Sequence, residues 1–381
     1  AAAAAKHAEK VTARKVGTIV HGAGIGGIAP DAAAQAVAEG TVLALYTFTD
    51  FKKPDGKVVA ECTIIEIDKK KLAAIKKGAQ TGTILAESQC LSRDLTNMPS
   101  NILTPQTLVQ IIRAHIKKAG LTKRIHMTVF DKTAMKKMKM GALLSVSQGS
   151  ANDPRFIVLR IKNPKKPLVC LVGKTVTFDS GGISLKPSQN MGLMKGDMSG
   201  GGVVFGATLA LARARTKVNL MTIIPAVENM PSGTASRPGD VVTAMNGKTI
   251  EIISTDAEGR MTLADALCYA EKNKAQTVID IATLTGGCVV ALGDVAAAVM
   301  GKDQKLIDDL LAASQRTGER FWQLPLFDEY KRQIKSDIAD LKNSGGRKAS
   351  AITAGLFLQS FVDKARWIHI DIAGKEIAEN S

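Results

Sequence analysis

The sequence predicts an α/β protein with two domains: a small N-terminal α/β domain and a larger C-terminal domain with a mostly parallel central sheet flanked by helices. Three observations lead to this prediction. The chain has 381 residues, which is enough for two domains of ordinary size. From residue 97 onward, nearly continuous apolar strands alternate with helices, which is typical of a parallel sheet covered on both faces. Residues 71–96 are predicted to form one long connecting helix that ends before the helix-breaking run "NMPSNILTP".

The first domain is assigned to residues 1–70. Its segments "VGTIV" and "KVVAECTIIEI" have the composition of strands, and "DAAAQAVAEGTVLALYTF" has that of a helix. Between the first strand and this helix, "GAGIGG" satisfies the glycine spacing of a dinucleotide-binding loop. Pro30 follows closely, however, and no second mononucleotide-binding half is evident, so we predict a glycine-rich loop without a dinucleotide.

The second domain is assigned to residues 97–381. A helix begins at Thr-Pro in "TPQTLVQIIRAHIKKAG", and two more are predicted in "GGGVVFGATLALARAR" and "TLADALCYAEKN". The predicted strands are "HMTVF", "FIVLRI", "LVCLV", "NLMTIIPAV", "TIEIIS" and "TVIDIATL". This order of strands and helices predicts βα units that build a mostly parallel sheet.

Composition narrows the functional classes. No apolar run approaches the roughly 18 residues that span a bilayer, so we expect no membrane partner. The N-terminus lacks the apolar segment of a secretory signal, although its low acid content leaves a transit-peptide remnant open. Five cysteines far apart in sequence, with no C-x-x-C, are typical of buried thiols in a reducing compartment, and we expect a cytoplasmic location.

The formal net charge is +16, with short lysine runs such as "DKKKLAAIKK" (68–77) and "KTAMKKMKM" (132–140). Two interpretations stay open: the lysines line solvated helix faces, or they attract an anionic partner such as nucleic acid. Aromatic residues make up only 4% of the chain, which argues against a surface on which bases stack.

Charged residues concentrate after two of the predicted strands, where ligands gather in open α/β sheets. Those after "LVCLV" and "TIEIIS" are Lys174, Asp179, Lys186, Asp197, Asp256, Glu258 and Arg260. The run Gly-Lys-Thr around Lys174 suggests a P-loop, but that motif would need a glycine where Leu168 stands. Lys174 therefore needs another explanation.

Each acid taken singly could be a surface charge, and Asp256 and Glu258 could favour the positive end of a helix. Taken together, the four acids on glycine-rich loops would repel one another unless cations compensate them, which divalent metals do better than the nearby basic residues. None of the five histidines lies in these loops, and the chain has no H-E-x-x-H. The sequence therefore predicts a carboxylate-bridged two-metal site that activates water.

Six segments carry a more specific signal. They are "VGKTVTFDSGGISLKPSQNMGLMKGDMSGG", "ENMPSGTASRPGDVVTAMNGKTIEIISTDAEGRMTLADAL", "IDIATLTGGCVVALG", "RDLTNMPSNILTP", "SDIADLKNSGG" and "AITAGLFLQSFV". These segments resemble the leucyl aminopeptidases, the cytosol aminopeptidases of peptidase family M17. The similarity covers roughly residues 85–374, and T-D-A-E-G-R is close to diagnostic of the family.

The resemblance implies a metal-dependent aminopeptidase (EC 3.4.11.1-like) that releases N-terminal residues, leucine-like ones preferred, by means of two divalent ions (Zn, Mn or Mg). Lys174 and Asp197 would hold one ion, and Asp179 would bridge it to the other. Asp256 would bind the second ion, and Glu258 would bridge both. A lysine coordinates only as a neutral amine, so the pKa of Lys174 would have to lie far below its ordinary value.

The same resemblance implies further roles. Lys186 would stabilise the oxyanion, and Arg260 would hold a bicarbonate ion that acts as general base. The residues of the side-chain pocket would include Met194, Thr283, Gly286 and Ala373. The family assembles as homohexamers, each a dimer of trimers. Some bacterial relatives bind DNA, so the alternative is a DNA-binding or structural member with secondary or lost peptidase activity.

The chain also departs from the family's pattern. Thr175 and Ser199 stand where glycine is usual, and Ser254 stands where asparagine is usual. Thr175 adds bulk beside Lys174, and we expect Ser254 to weaken support of the T-D-A-E-G-R turn. After "HIDIAG" the chain ends in "KEIAENS" instead of a glycine-rich segment and a final helix, and the N-terminal region is short, so we expect segments to be missing.

Overall fold

The computed structural model describes residues 1–52 and 59–377, which form two compact units. The first unit comprises Ala1–Asp94 and Leu209–Thr216, and the second comprises Leu95–Thr208 and Lys217–Ser381. The division into residues 1–70, 71–96 and 97–381 stays a prediction. No helix within the described ranges is long and apolar enough to cross a bilayer.

The described part of the first unit contains two short strands, two complete helices and most of a third, in addition to the end of a later helix. They are α1 Ala2–Lys10, β1 Lys15–Ile19, α2 Pro30–Ala44, β2 Glu61–Ile65 and most of α3 Leu72–Asn97. Strands β1 and β2 pair in parallel, and helix α1 was not predicted from the sequence. "GAGIGG" is a loop, as predicted, and all four of its glycines have positive φ. Residues 57 and 58 of the predicted strand "KVVAECTIIEI" lie outside the described residues.

The helices of the second unit begin with α4 and end with α11. Their bounds are α4 Pro105–Lys118, α5 Lys132–Lys137, α6 Gly141–Ser147, α7 Ser199–Arg213, α8 Glu258–Lys272, α9 Gly286–Leu292, α10 Gln304–Thr317 and α11 Ser350–Gln359. Two 3-10 helices cover Met191–Gly196 and Asp328–Ile334. The last residues of α7 belong to the first unit.

The strands of the second unit form two sheets. Their bounds are β3 His126–Phe130, β4 Arg155–Ile161, β5 Leu168–Gly173, β6 Thr175–Asp179, β7 Asn219–Asn229, β8 Val241–Thr243, β9 Thr249–Glu251, β10 Thr277–Ala282, β11 Ala297–Gly301, β12 Phe321–Gln323, β13 Leu341–Lys342 and β14 Arg366–Asp371. The large sheet has the order β12-β11-β14-β10-β5-β7-β4-β3, with β6 also paired to β7.

The large sheet is mostly parallel, as predicted. Its centre is parallel because β14, β10, β5 and β7 pair in one direction, whereas β3, β4 and β11 run antiparallel to their inner neighbours. Nearly every residue of β7 is buried, which fits a central strand covered on both faces.

Three of the five cysteines are buried, namely Cys170, Cys268 and Cys288, but Cys62 is exposed.

Two local predictions are wrong. The segment "TIEIIS" does not end at the edge of the large sheet, because its three-residue strand β9 pairs with β8 and β13 in a separate small sheet. Beyond β9, the backbone N–H of Ile252 still donates to the Asp240 carbonyl next to β8, and the N–H of Ile253 donates to the Asn343 side chain, so this segment stays with the small sheet. Conversely, Thr175–Asp179 was expected to be loop but forms β6, since the chain continues beside β7 after Gly173.

A buried carboxylate connects α8 to neighbouring backbone. Asp265 has no exposed surface, and its two carboxylate oxygens accept hydrogen bonds from the backbone N–H groups of Leu143 at 2.8 Å and Met245 at 2.7 Å. Burial raises the pKa of this carboxyl to about 7, although backbone N–H donors act in the opposite direction. Asp265 thus provides one hydrogen-bond acceptor for the N–H near the start of α6 and another for the N–H in the turn after β8.

Replacement of Asp265 by alanine is therefore expected to lower the free energy of unfolding by about 2–5 kcal/mol, because two buried N–H donors lose their acceptor. Urea denaturation followed by circular dichroism measures this change. The control is Asp309→Ala, which removes an exposed carboxylate of α10 and should change the free energy of unfolding by less than about 0.5 kcal/mol. Equal stability of the two variants would contradict the assigned role of Asp265.

Candidate metal centre

Lys174 is the single residue between β5 and β6. Its backbone N–H donates to Ile281 at the end of β10 at 3.0 Å, and its carbonyl accepts from Gly201 at the start of α7 at 2.8 Å. A side chain at Gly200 could not be accommodated, since its Cβ would lie 2.2 Å from the Ile281 carbonyl oxygen. The main chain of Lys174 is therefore held between a strand end and a helix start, at the carboxyl edge of the sheet.

The Lys174 side chain is buried among acids. Its Nζ lies 2.8 Å from Asp197 Oδ1 and 2.8 Å from Glu258 Oε1, and it donates to the Thr283 carbonyl at 2.8 Å. Burial acts to lower the pKa of Lys174, but the carboxylates of Asp197, Glu258 and Asp179 outweigh burial and raise it above the ordinary value. These carboxylates alone therefore hold an ammonium, and the low pKa that the resemblance implies would need the added positive charge of bound metal ions.

Gly259 gives the Lys174 side chain its space. A Cβ at this position would lie 2.5 Å from Lys174 Cε and 2.7 Å from Nζ. The glycine of T-D-A-E-G-R is thus required by the close approach of a lysine from another segment of the chain.

Asp179 ends β6 and is 2% exposed. Its Oδ1 accepts from the Gly181 N–H at 2.9 Å and from Asn229 Nδ2 at 2.8 Å, while its Oδ2 lies 2.8 Å from Lys186 Nζ. Lys186 Nζ also lies 2.5 Å from Asp256 Oδ1. Burial acts to lower the pKa of Lys186, but the neighbouring carboxylates outweigh burial and raise this pKa above the ordinary value. Lys186 therefore stays an ammonium.

The structure brings three of the predicted acids within reach of one ion. Asp179, Asp256 and Glu258 each offer a carboxylate oxygen, and the three oxygens lie within 4.8 Å of one another. Glu258 is the first residue of α8 and is buried, whereas the Asp256 side chain is 38% exposed. Asp197, which follows the 3-10 helix Met191–Gly196, reaches this group through Lys174. The cluster therefore has a buried side and an open side.

Two asparagines hold the turn that carries Asp256, and the sequence reasoning assigned no role to either. Asn229 Nδ2 donates to the Thr255 carbonyl at 3.1 Å, and Asn343 Nδ2 donates to the Ser254 carbonyl at 2.7 Å. The Ser254 hydroxyl also accepts from the Asp256 N–H at 3.2 Å, so the serine departure leaves the turn supported. Asn343 lies in "SDIADLKNSGG", whose resemblance to the family was the available signal.

Arg260 is buried in the first turn of α8. Its NH1 donates to the Asn343 carbonyl at 2.8 Å, but its Nε has no hydrogen-bond partner among the described residues. Burial lowers the pKa of this guanidinium to about 10, while the negative charges of Glu258 and Asp371 act in the opposite direction. Arg260 therefore keeps a free N–H donor inside the protein.

Of the four predicted pocket residues, Met194 contacts the charged cluster through its carbonyl, which accepts from the Asp197 N–H at 3.2 Å, and Thr283 contacts it through its side chain. The Thr283 hydroxyl lies 2.8 Å from Asp197 Oδ1. Met194 is half-buried in the 3-10 helix, Gly286 is exposed at the start of α9, and Ala373 packs in a small apolar cluster with Cys288. The pocket roles stay predictions.

The glycine-to-threonine departure beside Lys174 is accommodated. Thr175 is fully buried, and its hydroxyl donates to the Gly173 carbonyl at 2.8 Å. A Cβ at Gly201 would lie 2.2 Å from the Thr175 hydroxyl oxygen, so the missing side chain at Gly201 provides the space. Ser199 similarly donates its hydroxyl to the Gly196 carbonyl at 2.5 Å.

Residues 378–381, which include the end of "KEIAENS", lie outside the described part of the chain.

The donor set fits divalent metal ions. Asp197 Oδ2 and Glu258 Oε2 are buried, and neither has a hydrogen-bond partner in the described residues. Buried carboxylate oxygens without donors are costly, and metal coordination is one of the few ways to compensate them. Oxygen-rich sets of this kind suit Mg, Mn or Zn.

Comparison with known proteins gives a consistent result. The sequence pattern described as "Cytosol aminopeptidase family, catalytic domain" matches residues 90–381. A probable cytosol aminopeptidase of Alkaliphilus oremlandii is 45% identical over 92% of this chain and 71% of its own length. The corresponding protein of Geobacter sulfurreducens is 44% identical over 94% of this chain and 72% of its own length.

Two solved structures are similar over nearly the whole chain. The bottromycin maturation enzyme BotP in complex with Mn has a TM-score of 0.90 and 38% identity, covering 98% of this chain and 80% of its own. A mutant of tomato leucine aminopeptidase has a TM-score of 0.89 and 36% identity, covering 99% of this chain and 74% of its own.

Replacement of Gly259 by alanine is expected to displace the Lys174 side chain and to lower the free energy of unfolding by about 1–3 kcal/mol, as overpacking does in cores. Guanidinium denaturation measures this change. In Gly233→Ala, a Cβ meets no atom within 4 Å, so this control should keep the stability of the parent or exceed it slightly. An unchanged Gly259→Ala variant would show that Lys174 does not depend on this space.

Proposed function

The chain belongs to the cytosol aminopeptidase family, and from this premise we propose that it removes N-terminal residues, leucine-like ones preferred, from peptides with two divalent metal ions. One observation carries the proposal: Lys174, Asp197, Glu258, Asp179 and Asp256 form one continuous cluster at the carboxyl edge of the sheet. Ligands bind at this edge in open α/β folds.

We assign Lys174 and Asp197 to one ion and Asp256 to the other, and Asp179 and Glu258 would each contact both. The free oxygens Asp197 Oδ2 and Glu258 Oε2 support this assignment. When bound, such a pair of ions polarises the scissile carbonyl and activates water. Manganese is the first ion to test, because the similar structure of BotP was solved in complex with Mn.

Lys186 is the residue that we assign to the developing oxyanion. Its side chain is 22% exposed, and its ammonium lies between Asp179 and Asp256 on the open side of the cluster. The two carboxylates orient Lys186 Nζ before substrate arrives, and a donor placed in advance stabilises negative charge most effectively.

Arg260 is the residue that we assign to a small anion. The unpaired Nε of its buried guanidinium supports the binding of bicarbonate, which would accept a proton during the reaction. Asn343 positions Arg260 by accepting from NH1, so this asparagine serves both the arginine and the turn that carries Asp256.

Substrate preference and assembly also belong to the proposal. We assign Met194, Thr283, Gly286 and Ala373 to the pocket for the N-terminal side chain, and we propose a cytoplasmic homohexamer as in the family. A structural member without activity is not favoured, because Gly201 accommodates Thr175 and the predicted ligand residues are present. A DNA-binding member is likewise not favoured, because the similar proteins are named as aminopeptidases.

Replacement of Glu258 by glutamine is expected to remove the second metal ion and to lower kcat/KM at least about 100-fold, since changes even outside the ligand set cost 10–100-fold. Metal content is measured by plasma mass spectrometry, and activity by hydrolysis of leucine p-nitroanilide with added Mn. The control is Glu319→Gln, which changes an exposed acid. A parent protein with two ions per chain and no hydrolysis would end the proposal.

Replacement of Lys186 by methionine tests the oxyanion role separately. Loss of a donor used mainly in the transition state should lower kcat about 100–1000-fold and leave KM within a few-fold of the parent. The same anilide assay gives both constants, with the exposed Lys165→Met as control. A raised KM with unchanged kcat would instead assign Lys186 to binding of the ground state.

A further inference from the structure

A cavity opens in the second unit, away from the acids of the candidate metal centre. It has a volume of about 820 Å³ and is lined by the end of α5, the turn between β8 and β9, the end of α8 and the segment from α11 to β14. Helix α8 begins at Glu258 in the metal centre and ends at Lys272 in this cavity, so the two places are about 20 Å apart at about 1.5 Å per residue. We call it the basic cavity.

Five lysines face the basic cavity, against two acids. The lysines are Lys137, Lys139, Lys248, Lys272 and Lys302, and the acids are Glu271 and Asp363. Glu271 is already used, since it accepts from the backbone N–H groups of Lys364 and Ala365. The cavity therefore has a clear excess of positive charge.

The protein itself accounts for two of these lysines. Lys248 Nζ donates to the Ser360 carbonyl at 2.8 Å, and Lys302 Nζ donates to the Val362 carbonyl at 2.5 Å. Burial lowers the pKa of Lys302, and the positive charge of Lys248 adds to this effect, although Asp363 and Glu271 oppose it. Two ammonium groups are thus held close together by carbonyls at the end of α11.

The other three lysines have no such explanation. The side-chain ammonium groups of Lys137, Lys139 and Lys272 make no hydrogen bond or ion pair with any residue in the described ranges. Cations favour helix C-termini, and α5 and α8 both end here, but an exposed charge gains only about 0.3–1 kcal/mol in this way. Lys137 and Lys139 belong to the basic run "KTAMKKMKM", so part of this run lines the cavity.

The cavity also has an apolar wall. Met138, Met245 and Phe361 contribute to its lining. Methionine and phenylalanine side chains pack well against flat, polarisable groups such as aromatic rings. A small inorganic anion has no such group, so this wall indicates a larger ligand with a ring. The volume lies within the range of about 300–1000 Å³ that small-molecule sites occupy.

We propose that the basic cavity binds a phosphorylated small molecule of nucleotide size, with its phosphates on the lysines and its ring against the methionines and Phe361. Lysine binds phosphate as a point charge, and several lysines around one cavity favour an anion with at least two charges. A nucleic-acid backbone would instead need an extended basic surface, and this site is concave. The proposal is independent of peptidase activity.

The test is a titration of the full chain with fluorescent mant-ADP, followed by anisotropy, with and without Mn. Saturable binding is expected in the parent. In the variant Lys137→Gln/Lys139→Gln/Lys272→Gln, affinity should fall at least about tenfold, which corresponds to about 1.4 kcal/mol. Pyrophosphate should compete, whereas adenosine should compete only weakly.

The matched control is Lys162→Gln/Lys165→Gln/Lys166→Gln, which removes the same charge from exposed lysines outside the cavity and should bind like the parent. Thermal melting checks folding, and the single variant Lys139→Glu should weaken binding in the same direction. Absence of saturable binding at millimolar mant-ADP overturns the proposal. Equal affinity of the two triple variants also overturns it, because the ligand would then bind elsewhere, for instance at metal ions.

Discussion

The burial of Lys174 between Asp197 and Glu258 is the interaction on which the rest of this site depends. Moving several charged groups out of water is expensive, and their mutual attraction repays that cost only when the geometry is good and the remaining polar atoms are satisfied. Here Nζ makes three contacts of 2.8 Å, the full number that an ammonium can donate. The oxygens left over are Asp197 Oδ2 and Glu258 Oε2, so the uncompensated part of the cluster is entirely negative.

This constraint explains the local backbone. Three segments must approach within van der Waals contact to place one lysine beside two acids, and each approach requires a glycine. Gly200 leaves room for the Ile281 carbonyl, Gly259 leaves room for the lysine itself, and Gly201 leaves room for Thr175. Motifs rich in glycine and acids therefore arise here from close packing around a buried charge, and flexibility is not needed to explain them.

Much of the fold could be predicted from the sequence, because the central strands are apolar on both faces. The segments that became β5 and β7 had an unambiguous pattern, and buried strands of a parallel sheet produce it directly. Strand β6 was missed because its glycine-flanked neighbours resembled loop, although Thr-Val-Thr is β-branched. The segment that contains β9 pairs in the small sheet and not in the large one, and hydrogen bonds to Asp240 and Asn343 help to hold it there. The periodicity of the segment itself does not predict these partners. The support given by Asn229 and Asn343 likewise depends on tertiary contacts that no local rule predicts.

Charge balance links the acids to the proposed chemistry. Four carboxylates would balance the charge of two divalent ions, and a coordinating Lys174 would contribute none because it would bind as a neutral amine. Lys186 and Arg260 are then the positive charges in excess, one oriented by Asp179 and Asp256 and the other buried with a free Nε. A site with this surplus favours negative charge that appears during a reaction, and it favours a small resident anion. The same lysine that neutralises the acids in the metal-free chain would thus give up its proton on metal binding, which leaves the site positive where a peptide carbonyl becomes an oxyanion.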